Sequence, residues 1–151
     1  MSEITEMSGR ILGVDYGKRR IGVAVSDPMA TIASGLPTIV YQNLPDALTQ
    51  LENIITDHEV CSVVVGLPLT LKGEAGDAVQ ATRVFIENLK GRIDLPVYTL
   101  DERFTSVMAQ RSLLEMGKSP SRNKGKVDEL SAIILLQSYL DKHHVTNQNK
   151  N

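Results

Sequence analysis

Apolar residues in this chain come first in short dense runs and later at helical spacing. Ile11–Val14 is too short for an amphipathic helix and predicts a buried strand. Ile21–Val25, built of Ile, Gly, Ala and Val, predicts another, and Gly17 between the two marks a tight hairpin turn. Thr38–Tyr41 reads as a third strand. From Leu44 the period changes: Leu44, Ala47, Leu48, Leu51, Ile54 and Ile55 share one helical face, with Asn43 as cap, Pro45 in the first turn and an end near His58. Cys61–Val65, closed by Gly66-Leu67-Pro68, has no polar face and reads as a central parallel strand. Residues 69–76 read as a loop. Ala78–Leu89 predicts a second helix with Val79, Thr82, Phe85, Ile86 and Leu89 on one face. Pro96–Leu100 is a short strand ending at Asp101-Glu102-Arg103. A third helix is expected from Thr105 or Ser106 to Met116, stopped by Gly117. Residues 117–127 read as a mobile loop, and a last helix runs from about Asp128 to Leu140 with Leu130, Ile133, Ile134 and Leu140 apolar.

Three strands followed by α, β, α, β, α and α predict an α/β fold with a mixed sheet, an antiparallel meander joined to parallel strands through helical crossovers. A chain of 151 residues is most simply one domain. Its expected bounds are residues 10–141, after a flexible N-terminus (1–9) and before a disordered tail (142–151). The paired His143 and His144 could bind metal, but a frayed tail is the better reading.

Composition narrows the class without choosing a function. Hydrophobic residues make up 42% and charged residues 23%, which fits an ordinary globular protein. The single cysteine, Cys61, excludes an internal disulfide and suits a reducing cytoplasm, the expected location. Within an apolar run it reads as a small core residue rather than a nucleophile. No segment approaches the roughly 18 apolar residues of a membrane span, and the N-terminus lacks a basic–apolar signal pattern. The formal net charge of −2 does not advertise a nucleic-acid binder. Local charge says more: Lys18, Arg19 and Arg20 are contiguous, and Lys118, Arg122, Lys124 and Lys126 share an acid-free segment. Such patches can grip phosphates, although for either one alone a solvated loop is the better reading. With four tyrosines, two phenylalanines and no tryptophan, no aromatic stacking platform is evident, so any nucleic acid would be held through phosphates and shape.

The candidate chemistry is acidic. Asp15 ends the first strand, Asp101 and Glu102 end the last, and Asp128 opens the final helix. A carboxylate at the end of a buried strand is costly unless paired, hydrogen-bonded or metal-bound. Ligands gather at strand ends in such sheets. If these ends converge, three carboxylates share one site, and Mg2+ or Mn2+, which favour carboxylate and water ligands, would neutralise them. Two such ions roughly 4 Å apart can activate a water and stabilise a leaving oxygen in phosphodiester hydrolysis. Each acid also has a plain role open to it: Asp15 as a turn cap, Glu102 paired with Arg103 or Lys126, Asp128 complementing a helix dipole.

Four motifs come in a recognisable order: GVDYGKRRIGVAVSD at 13–27, VVGLP followed by Gly73 at 64–73, LDERFTS at 100–106 and KVDELSAIILLQSYL at 126–140. On these the chain resembles the YqgF family, also called RuvX: small bacterial proteins described as Holliday junction resolvases and as nucleases that mature the 5′ end of pre-16S ribosomal RNA. The resemblance spans Arg10 to Leu140. It implies a ribonuclease H-like fold with a central five-stranded mixed sheet flanked by helices. It also implies that Asp15, one acid of the 101–102 pair and Asp128 bind Mg2+ or Mn2+ and hydrolyse a phosphodiester with metal-activated water. Glu102 is favoured over Asp101, because related resolvases present a glutamate there and only one of two adjacent strand residues points to a given face. Lys18, Arg19, Arg103 and Lys126 are the implied phosphate contacts. The implied partner is nucleic acid, pre-rRNA favoured over branched DNA, with ribosomal precursor particles as a further candidate and no membrane. Two rivals stand beside this reading. A fragment of a sugar-kinase or actin-like ATPase would share the hairpin, but the chain is short for a two-domain cleft. A non-catalytic RNA-binding assembly factor could keep an old nuclease fold, since fold does not guarantee activity.

Overall fold

The computed structural model of the chain describes residues 9–69, 76–101, 115 and 124–149. Strand β1 (Arg10–Tyr16) and strand β2 (Arg20–Ser26) form the expected hairpin, paired antiparallel with Tyr16 opposite Ile21 and Asp15 opposite Gly22. Gly17 is required at the turn, because a Cβ there would sit 2.5 Å from the Arg20 carbonyl oxygen. Strand β3 (Ala33–Val40) follows antiparallel to β2. It begins five residues before the Thr38–Tyr41 strand read from the pattern. Ser34, Gly35 and Pro37 disguise it, and they are tolerated because β3 is an edge strand, where a proline need not donate to a ladder.

Helix α1 (Leu44–Asp57) starts as expected, with the Asp46 amide donating to the Asn43 side chain at 2.9 Å, and His58 closes it. Strand β4 (Val60–Leu67), helix α2 (Asp77–Lys90) and strand β5 (Val97–Asp101) complete two parallel crossovers, β1 to β4 and β4 to β5. The sheet order is β3-β2-β1-β4-β5, the predicted mixed α/β architecture. Cys61 departs from its expected core role. Arg10 pairs with Val60 and Ile11 with Ser62, so Cys61 is the extra residue of a bulge and is exposed.

Strand alternation divides the core in two. Leu12, Val14, Val23, Val25, Val63 and Val65 pack with Ala47, Leu48 and Leu51 of α1 and Phe85, Ile86 and Leu89 of α2. Each fully buried aliphatic side chain contributes about 1.5–3 kcal/mol of apolar transfer. Ile11, Ala24 and Val64 face the other way, onto the last helix, α3 (Lys124–Asn149). This helix is longer at both ends than the expected Asp128–Leu140. Residues 124–127, read as loop, are helical, and Asp128 lies a turn inside the helix. The Thr38 hydroxyl donates to the Gly125 carbonyl at 2.8 Å, a tertiary anchor that outweighs the poor helix propensity of glycine. The buried stripe of α3 also differs from the residues picked from spacing: Ala132, Leu135, Leu136, Tyr139 and Leu140 are buried, whereas Leu130, Ile133 and Ile134 are half-buried. The segment is apolar nearly all round, so its periodicity does not choose a face; the sheet does. The expected helix between Thr105 and Met116 lies outside the described residues except for Glu115, which is helical. Among the described residues no helix is long and apolar enough to cross a membrane.

Candidate active site

Asp15 is half-buried near the end of β1. Its neighbours Val14 and Tyr16 belong to the α1–α2 side, while Gly13 lies under Leu136 of α3. Alternation therefore turns Asp15 toward α3. Its partner across the hairpin, Gly22, explains how a second acid reaches it. A Cβ on Gly22 would lie 2.1 Å from the carbonyl oxygen of Asp128 and 2.7 Å from its carbonyl carbon. The backbone of Asp128 thus rests on the strand immediately beside Asp15, an approach that any side chain at position 22 would block. On β3, Gly35 lies beneath the Glu129 side chain in the same way. Two carboxylates far apart in the chain are brought to one end of the sheet by glycines that let the helix settle.

The Asp128 carboxylate is not solitary. Arg20 Nε donates to its Oδ2 at 2.7 Å, with the two side chains 39% and 25% exposed. Arg20 opens β2 two residues before Gly22 and so shares the α3 face. In the sequence Arg20 belongs to a basic run, and nothing in that run distinguishes it from Lys18 and Arg19. The distinguishing signal is its even spacing from the glycine that receives the helix.

Asp101 ends β5 and is exposed. Leu100 packs with the α3-side cluster, so alternation places Asp101 on the opposite face of the sheet from Asp15. Glu102 and Arg103 lie outside the described residues. Among the described residues no three His, Cys, Asp or Glu side chains form a group able to hold a metal. The pair present, two carboxylates offering oxygen donors, fits a hard divalent cation such as Mg2+ or Mn2+.

Lys18 and Arg19 are exposed in the β1–β2 turn, beyond Asp15. Tyr41, just past β3, holds that turn: its hydroxyl donates to the carbonyls of Gly17 at 2.5 Å and Lys18 at 2.6 Å. Its ring stacks with Tyr16, which stacks in turn on Phe85 with centroids 4.3 Å apart. Burial, then the adjoining Tyr16 hydroxyl, pushes the Tyr41 phenol well above its usual range, so it is a permanent donor at any ordinary pH. Lys126, on α3, pairs with Glu129 at 3.3 Å on the surface.

The second aspartate of the opening motif is structural. Asp27 accepts hydrogen bonds from the amides of Met29, Thr31 and Ile32 and from the Thr31 hydroxyl, at 2.7–3.1 Å. These donors, the Ile32 amide foremost, hold its carboxyl well below the usual carboxylate range against the opposing effect of burial. The loop they organise accommodates Ala30 in the left-handed region, φ 56°.

A five-stranded mixed sheet with its hairpin first, two parallel crossovers after it and a helix across β1, β2 and β3 defines a ribonuclease H-like domain. A structure of Thermus thermophilus RuvC superposes with a TM-score of 0.55 at 15% identity, covering 91% of this chain and 97% of that one. The fowlpox virus Holliday junction resolvase superposes equally well, TM-score 0.55 at 11% identity, over 88% and 98% of the two chains. Within that class the chain belongs to the RuvX family, whose model, described as a Holliday junction resolvase, matches residues 9–142. A relative from Sulfurihydrogenibium sp. named "Putative pre-16S rRNA nuclease" is 43% identical over 144 residues, 94% of this chain and 97% of its own length. One of the same name from Roseiflexus sp. is 40% identical over 133 residues, 88% and 94% of the two chains.

Proposed function

We propose that this protein is a divalent-cation-dependent nuclease of the cytoplasm that processes the 5′ end of pre-16S ribosomal RNA, acting on the RNA or on the precursor particle that carries it. The observation that carries the chemistry is the seating of Asp128 on Gly22, next to Asp15 in register. Asp15 and Asp128 would hold the cation together with Glu102. Leu100 and Asp101 support that choice, because Asp101 falls on the face of the sheet away from Asp15, which leaves Glu102 as the acid of the pair for this role. When bound, Mg2+ or Mn2+ would supply Lewis acidity to the scissile phosphate and acidify the attacking water. The chain itself supplies the rest. The carboxylates would hold the cation, and the hairpin turn, stiffened by Tyr41, would present Lys18 and Arg19 to backbone phosphates. Arg103 and Lys126 are the further candidates for phosphate contact. The substrate is favoured by the name of the relatives at about 40% identity. The description of the family model favours a second reading, resolution of four-way DNA junctions.

One assay separates them. Purified protein in Mg2+ or Mn2+ is offered a pre-16S leader RNA, a generic single-stranded RNA and a four-way DNA junction, with Asp15→Asn and Asp128→Asn as controls. Cleavage of the leader RNA that disappears in both variants is the expected result. Cleavage of the junction alone selects the second reading. Binding without cleavage of any substrate by the wild type overturns the nuclease assignment in favour of an assembly factor.

A further inference from the structure

The Arg20–Asp128 pair has a consequence for how the site loads. Arg20 Nε lies 2.7 Å from Asp128 Oδ2, one of the oxygens a cation would need. Both side chains are partly exposed, so the pair is not locked by burial and exchanges with solvent at modest cost. Arg20 leaves the sheet on the α3 face, two residues before Gly22, the point where the Asp128 backbone and Asp15 meet. A guanidinium tied to the ligand oxygen works against a divalent cation twice. It competes for the carboxylate, and its own charge repels the ion at short range. It also has a use: without it, the metal-free chain would bring the carboxylates of Asp15 and Asp128 to the same strand end with less countercharge.

We propose that Arg20 is a positioning residue that occupies Asp128 in the metal-free protein and yields it when the cation enters, setting the ion affinity of the site. The proposal rests on the metal-binding reading of Asp15 and Asp128. On release, the guanidinium stands at the mouth of the site beside the hairpin turn, where its planar fork suits a phosphate oxygen of the incoming strand.

The test is calorimetric titration of the full chain with Mn2+ alone, without nucleic acid, for the wild type, Arg20→Gln, Arg20→Lys and Asp128→Asn. Arg20→Gln is expected to bind Mn2+ about two- to fivefold more tightly, the range expected for a partly exposed ion pair. Arg20→Lys, which keeps the charge, should return toward the wild-type affinity. A merely structural role would not produce tighter binding on removal and recovery with lysine. Wild-type binding that Asp128→Asn weakens but Arg20→Gln leaves unchanged or weakens overturns this inference and leaves the metal-binding reading standing. A wild-type chain that binds no Mn2+, or binds it equally after Asp128→Asn, overturns both. Melting temperatures in EDTA confirm that each variant is folded before titration.

Discussion

Replacing Gly22 by alanine tests whether the helix seat makes the site. The new Cβ would stand 2.1 Å from the Asp128 carbonyl oxygen, 2.7 Å from its carbonyl carbon and 3.3 Å from its Cα, and ordinary contact begins near 3.4 Å. The obstructing atoms are helix backbone, so no rotamer change relieves them, and the N-terminal part of α3 must retreat by roughly 1 Å. Overpacking of this kind costs about 1–3 kcal/mol, which for a chain of this size lowers the melting temperature by roughly 3–10 °C. The larger effect falls on chemistry. Metal and catalytic groups need placement to about 0.5 Å, and a displacement near 1 Å costs on the order of 100-fold in rate. Gly13→Ala is the matched control. Its Cβ would meet the Leu136 side chain at 2.8 Å, two turns further along α3, and should destabilise comparably while disturbing Asp128 less. The assays are thermal unfolding and cleavage rate per folded molecule at 20 °C below each melting point. Gly22→Ala with a wild-type melting temperature would refute the packing argument. A Gly22→Ala rate no lower than that of Gly13→Ala would refute the link between the helix seat and the active site.

Other consequences are simpler to measure. Asp27→Asn should lower stability at pH 7 by about 1–2 kcal/mol, since it loses charge-assisted acceptance from three amides and a hydroxyl. Because the folded carboxyl titrates below its ordinary value near 3.8, the wild-type advantage is complete above that pH. It shrinks as pH falls through the lower folded value, so urea midpoints of wild type and variant should converge on acidification below about pH 4. Tyr41→Phe removes the hydroxyl that holds the carbonyls of Gly17 and Lys18, at a cost of about 1 kcal/mol. Faster amide exchange confined to the 17–19 turn is its signature, and unchanged exchange there would deny the hydroxyl this role. Nucleic-acid affinity should fall as salt rises, and Lys18→Ala or Arg19→Ala should each reduce the slope of log affinity against log salt by about 0.7–0.9. A slope that neither change moves would remove the turn from the phosphate path.

Local pattern determined most of the elements. The hairpin, α1 with its Asn43 cap, and the buried face of α2 (Val79, Thr82, Phe85, Ile86 and Leu89) follow from spacing and capping chemistry, because each signal lies within one element. The acidic motifs and their order likewise pointed to the family without any structure. What the sequence could not decide was set by contacts between distant segments. The start of β3 was hidden because edge pairing to β2 outweighs the weak strand character of Ser34, Gly35 and Pro37. The extent and face of α3 were undecided because that segment is apolar on nearly every side; Gly13 under Leu136, Gly22 under Asp128 and the Thr38 bond to Gly125 chose them. Cys61 looked like core until a one-residue bulge turned it out. Arg20 looked like one of three equivalent cations until the fold set Asp128 within its reach. Glycine illustrates the division: its presence at 22 is plain in the sequence, but the reason for it is a helix backbone more than a hundred residues away, which only the tertiary structure supplies.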